Sequence, residues 1–191
     1  MGTIKTTNIE TITGSGTLTL GQSGETVSVP SGATLDLSSA TQTGVGGTNT
    51  PAFEAVRTGT QSVSNASAVK IQFQTEIFDT DGDYDNTTNY RFTPQVAGKY
   101  FCFAQLMMNY GGAAFDDFQV RIHLNGNNHL HIRSQFTFYR GIYTGGIIDF
   151  NGSTDYIECF IYQSSGGSIN VDGVGGGDLR TRFGAYKLIG V

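Results

Sequence analysis

Charge is scarce in this chain. Only 14% of its 191 residues are Asp, Glu, Lys or Arg, and 16 acids against 11 bases leave a formal charge of -5. A protein that grips a phosphate backbone concentrates Lys and Arg to displace counterions, so nucleic acid is not an expected partner. Tryptophan is absent, proline occurs three times and cysteine twice. No apolar run approaches the roughly 18 residues of a membrane helix, so no membrane insertion is expected. The opening Met-Gly-Thr-Ile-Lys-Thr-Thr lacks the basic and apolar parts of a secretory leader, and no export signal is expected. No window repeats Leu, Glu, Lys and Ala at a 3.6-residue period, which leaves no long helix. What abounds is 27 Gly, 13 Phe and 9 Tyr, the balance of a β-rich chain with many turns.

Both cysteines fall inside strand-like alternations. Tyr100, Cys102, Ala104 and Leu106 share one face of such a run, and Ile157, Cys159 and Ile161 share another. Those are core faces, where free cysteine behaves as a small hydrophobe, so two reduced core thiols are expected in preference to a disulfide or metal role.

Residues 1–50 differ from the rest. They hold no aromatic residue, only Lys5, Glu10, Glu25 and Asp36 are charged, and Thr, Ser and Gly dominate. A short repeat lies within: Thr-Leu-Thr-Leu at 17–20, Thr-Val-Ser-Val at 26–29 and Thr-Leu-Asp-Leu at 34–37, joined by turns at Gly21, Gly24 and Pro30-Ser31-Gly32. Alternation of one apolar and one polar residue is the period of a half-buried strand. Two or three short strands without a second layer are marginal in water, so partner copies must supply the cover for Leu18, Leu20, Val27, Val29, Leu35 and Leu37. The repeat resembles the β-stems of bacteriophage tail fibres and virion spikes. A solvated Ser/Thr/Gly tail is the alternative. The predicted organisation is a stem or anchor at 1–40, a glycine-containing linker at 41–50 and a head at 51–191.

In the head, strands are predicted at 52–57, 70–77, 90–93, 99–108, 118–124, 129–138, 145–150, 155–162 and 183–191, a density typical of a sandwich. Turn signals fall between them at Gly111-Gly112, Asn125-Gly126, Gly145-Gly146, Asn151-Gly152, Gly166-Gly167 and 175–177. Asn125-Gly126 is the clearest hairpin turn.

One spacing is distinctive: Phe73, five residues, Asp79, four, Tyr84, seven, Phe92, five, Gly98, one, Tyr100. With the closing strand Phe183-Gly184-Ala185-Tyr186 and the run Ile157-Glu158-Cys159-Phe160-Ile161, it resembles the globular head of the first complement component, whose jelly roll is shared with tumour necrosis factor-like ligands. The chain departs from that motif by one extra residue between Tyr84 and Phe92, and by Cys102 and Ala104 where aromatics are usual. The resemblance implies a trimeric jelly-roll β-sandwich over about 51–191.

Candidate chemistry is thin. Asp79, Asp81, Asp83 and Asp85 place carboxylates at every second position, a donor set suited to calcium, but Tyr84 and Tyr90 stand where an EF-hand needs its glycine and closing glutamate. A solvated acidic turn is the alternative, and no cofactor is otherwise expected. His129 and His131 share a strand face and could ligate a metal about a threefold axis; exposed or interface histidines are the alternative. Gly21-Gln22-Ser23-Gly24 is one residue short of a nucleophile elbow, and the glycines at 173–177 precede no helix, so no enzyme is expected. Recognition is better supplied. Tyr110, Phe115 and Asp116, and Tyr139, Arg140 and Tyr143, fall in two stretches read as loops mixing aromatic, glycine and polar groups, which suits a sugar or protein surface; core or subunit packing is the alternative for each ring.

Together these features imply a non-enzymatic homotrimer of a phage virion surface, made in the host cytoplasm. As a fibre or spike, its head would contact a host glycan or protein while its leading segment joins other virion proteins. A capsid decoration or cement trimer and a secreted complement-type lectin or ligand are the alternatives.

Overall fold

The chain divides into two units, Met1–Val45 and Gly46–Val191. The structure, a computed structural model, describes residues 17, 19–36, 49–109, 115–136, 140–173 and 180–189, with side chains described except at 109, 115, 116, 136 and 140.

In the first unit two turns are closed by hydrogen bonds, from Glu25 N–H to the Gln22 carbonyl at 2.9 Å and from Ala33 N–H to the Pro30 carbonyl at 3.0 Å. Gly24 and Gly32, third in each turn, have φ of +87° and +85°, the left-handed backbone a type II turn demands there. The turns predicted between the repeats therefore form. No β-ladder forms among the described residues of this unit, and Leu20, Val27, Val29 and Leu35 are exposed. Among the described residues the repeats pair with no strand, and Leu18 and Leu37 lie outside those residues.

The second unit is all-β, with no helix among the described residues. Its strands are β1 (Ala52–Val56), β2 (Gln61–Val63), β3 (Ser67–Lys70), β4 (Thr75–Asp79), β5 (Tyr84–Asp85), β6 (Arg91–Phe92), β7 (Gly98–Asn109), β8 (Phe115–Leu124), β9 (Asn127–Phe136), β10 (Arg140–Phe150), β11 (Ile157–Gln163), β12 (Ile169–Asp172) and β13 (Arg182–Lys187). Seven form one sheet in the order β2-β12-β7-β13-β1-β4, with β10 also paired to β7; six form the other in the order β5-β6-β11-β8-β9, with β3 also on β11.

One core fills the space between the sheets. Tyr100, Cys102, Ala104, Leu106 and Met108 face inward from β7, Phe118, Val120 and Ile122 from β8, and Ile157, Cys159 and Ile161 from β11. Both cysteines are free and buried, as expected, and burial pushes both thiols well above the ordinary range.

Several predicted boundaries change. The strand expected at 70–77 is two strands in different sheets, β3 and β4. Between them Ile71 and Phe73 remain buried, so the alternation persists, while side chains take over the ladder's work: Gln61 bonds both Lys70 O and Gln72 N, and Arg57 donates to Gln72 O. Gly145-Gly146 is not a turn but lies within β10, which pairs with β7 from Arg140↔Met108 to Phe150↔Gly98. The short strands β2, β5 and β12 were not foreseen. Asn125-Gly126 does form the hairpin turn of β8 and β9, with φ of +52° and +80° as a type I′ turn requires. The glycines at 111–112 and 175–177 lie outside the described residues.

Candidate functional site

The first sheet turns an aromatic face away from the core. Along β10 burial alternates strictly: Ile142, Thr144, Ile148 and Phe150 face inward, and Tyr143 and Ile147 face outward at 45% and 57% exposure. Phe101 and Phe103 of β7 and Tyr186 of β13, 38% exposed, join them. The rings touch in series, with Phe103–Tyr143 centroids 6.4 Å apart, Phe101–Phe103 6.5 Å and Phe101–Tyr186 5.7 Å.

Glycine makes room for these rings. A Cβ on Gly184 would lie 2.6 Å from Phe103 Cζ and 2.8 Å from the Phe53 carbonyl oxygen, and one on Gly145 would lie 2.9 Å from the Tyr143 hydroxyl. The rings therefore lie down on the sheet. Beside them Arg182 and Glu54 stand 3.6 Å apart, and Glu54 Oε1 and Arg182 Nε are buried without a hydrogen-bond partner. Burial, followed by the neighbouring Tyr186, raises the Tyr143 phenol's pKa, with Arg182 opposing.

Of the six predicted recognition residues, Tyr110 and Tyr139 lie outside the described residues. The loop placement of the other four is corrected: Phe115 and Asp116 belong to β8, and Arg140 and Tyr143 to β10. Pairing with β7 along all of β10 explains the correction for Arg140 and Tyr143, because ladder hydrogen bonds keep extended a stretch whose glycines read as loop. Phe101, Phe103, Ile147 and Tyr186 were not singled out. Their signal was present, since Phe101, Phe103 and Met107 alternate with Tyr100, Cys102, Ala104 and Leu106 and make β7 apolar on both faces.

The four aspartates act mainly as turn caps. Asp79 accepts from the N–H groups of Asp81, Gly82 and Tyr84 at 3.4, 3.1 and 2.9 Å. Asp83 accepts from Gln95 N–H at 3.0 Å; burial raises its pKa despite that bond, and Asp79 and Asp81 add repulsion. Asp81 accepts from the Thr80 hydroxyl. Asp85 gathers N–H groups of Thr87, Thr88 and Asn89, which hold its carboxyl well below the usual range, the Thr88 N–H contributing most. Among the described residues no three His, Cys, Asp or Glu side chains converge as metal ligands.

The motif residues prove structural. Phe73, Tyr84, Phe92 and Tyr100 are all buried, and the Tyr84 hydroxyl donates to the Phe73 carbonyl at 3.1 Å. Gly98 has φ of +140°, with Lys187 Cε 3.1 Å from where a Cβ would stand.

No family model and no curated protein matches the chain. Among solved structures it is similar to murine APRIL at pH 5.0, with a TM-score of 0.51 and 13% identity over 72% of this chain and 98% of that one. It is also similar to murine APRIL at pH 8.5, with a TM-score of 0.47 and 13% identity over 72% of this chain and 99% of that one. At such identity the likeness concerns fold alone. Two antiparallel sheets around one aromatic core, with that likeness, make the second unit a tumour necrosis factor-like jelly roll.

Proposed function

We propose that the protein is a non-enzymatic homotrimer whose heads join through the aromatic face of the first sheet, and that it serves as a bacteriophage fibre or spike. One observation carries the assembly: β7 is apolar on both faces while a single copy covers only one, leaving Tyr143, Ile147 and Tyr186 in water. An apolar patch of contiguous rings marks an interaction surface. The uncovered Leu20, Val27, Val29 and Leu35 support the same reading for the leading segment, whose hydroxyl-rich repeat resembles fibre stems.

The assembly is tested by Tyr143→Asp combined with Ile147→Asp, both on outward positions. Buried like charges cost several kcal/mol, so the double variant should sediment as a monomer with its circular dichroism unchanged. A trimer that survives both charges contradicts the interface.

The virion role is tested separately by mass spectrometry of purified particles and by competition of the soluble head with adsorption. Particle association without competition would favour a capsid decoration protein over an adhesin. A secreted ligand is the second reading. It draws on the fold likeness to murine APRIL, and recovery of the chain free of particles would favour it.

A further inference from the structure

The second sheet turns a different face outward. Its cross-strand rows run Arg91–Glu158–His123–Asn128, then Lys70–Phe160–Arg121–His131, then Ala68–Tyr162–Gln119–Arg133. Four bases against three acids, Glu158, Asp117 beside Arg133 and Asp85 opposite Arg91 at the sheet's edge, give this face a formal +1, on a chain whose total is -5. Depth separates the signs. The Glu158 and Asp117 side chains are 4% and 16% exposed, whereas Lys70, Arg91 and Arg133 are 30%, 30% and 62% exposed. Those two acids are sunk beneath the bases, so the charge presented to solvent is positive.

Rings hold the cations in place. The Arg91 guanidinium lies 4.0 Å from the Tyr156 ring centroid, Arg121 5.2 Å from Tyr162 and the Lys70 ammonium 5.7 Å from Phe160, while the His123 ring stacks on Phe160 at 4.2 Å. Such stacking covers a guanidinium's face and leaves its N–H edges as donors, of which Arg91 directs Nε and Nη2 to Glu158. Lys70 and Arg91 share Glu158 Oε1 at 2.6 and 2.9 Å. Arg121 instead donates to the neutral Gln119 Oε1, at 3.0 and 2.6 Å, and among the described residues no carboxylate lies within ion-pair distance of it.

We propose that this face binds a linear acidic polysaccharide, with Arg121 and Arg133 as its principal anion contacts and Lys70 and Arg91 extending the track. Strands about 4.8 Å apart set a cross-strand step comparable to one pyranose unit, so a chain crossing the strands meets a new side chain at each sugar. Bidentate guanidinium recognition suits carboxylate and sulfate alike. The negative total opposes a densely charged nucleic acid more than a sparsely charged glycan. The proposal rests on reading the head as a binding protein, not on its threefold assembly, because it uses the other sheet.

Binding of the full-length protein to polygalacturonate, hyaluronate, neutral dextran and duplex DNA tests it. Both acidic polysaccharides should bind, more weakly as NaCl rises, and neutral dextran should not. Replacing Arg121→Gln together with Arg133→Gln should weaken binding roughly tenfold or more, whereas Lys99→Gln on the first sheet should change nothing. Asp117→Asn should tighten binding by freeing Arg133, an effect that damaged folding does not mimic. Equal binding of neutral dextran, tighter binding of DNA, or an unaffected Arg121/Arg133 double variant overturns the proposal. A monomer that still binds through these arginines would refute the assembly and leave this face intact; a trimer indifferent to acidic chains would do the reverse.

Discussion

Phe53 lies between two other rings, Tyr84 at 4.5 Å and Phe92 at 4.4 Å, with Phe183 edge-on at 5.2 Å. Three of the motif's aromatics, Phe73, Tyr84 and Phe92, reach it directly or through Phe183, so the spacing brings its rings into one cluster. Phe53→Ala should cost about 3–5 kcal/mol, read from chemical denaturation of the intact protein. Asp85 gives the acid response. Its folded pKa lies below the ordinary 3.8, so its contribution is complete above that value and drains as the folded carboxyl takes up its proton. Asp85→Asn should therefore lower the melting temperature at neutral pH and flatten its fall in acid; an unchanged acid profile would show that the three N–H groups do not hold the loop. At this scale the sequence was readable where burial dictates type, as at Cys102, Cys159 and Tyr100. It was unreadable at the aspartates, where the hydrogen bonds depend on which amides turn toward each carboxylate.

Strand β10 shows how an element is misread. Gly141, Gly145 and Gly146 suggest loop to any local rule, yet β10 pairs with β7 along its whole length. Space explains two of these glycines: a Cβ at Gly146 would meet Leu130 at 3.0 Å, and one at Gly145 the Tyr143 hydroxyl and the Cys102 carbonyl oxygen at 2.9 and 3.1 Å. Here the missing side chain admits a neighbour and bends nothing. The stretch at 70–77 fails in the opposite sense, because alternation reports burial and says nothing of whether a strand or a side chain supplies the hydrogen bonds. Strands β8, β9 and β11 were legible because their alternation and the Asn125-Gly126 turn point the same way. Gly184→Ala on β13 should cost about 1–3 kcal/mol and, by lifting Phe103 from the sheet, weaken self-association as well. Loss of stability with association intact would separate the glycine from the aromatic face.

For the molecule as a whole, the two sheets differ in what they show to water: rings on the first, cations on the second. The first kind of surface is costly for a solitary copy and the second is not, so the proposed assembly falls to one and the proposed ligand binding to the other. The leading unit adds its own exposed leucines and valines, whose repeat was plain in the sequence but which meet no partner strand among the described residues. Sedimentation equilibrium of the intact protein decides whether copies associate through the aromatic face. A homotrimer gives a particle of three times the 20.4 kDa chain mass, unchanged on dilution through the micromolar range. A stable species of 20.4 kDa that keeps its fold would contradict it.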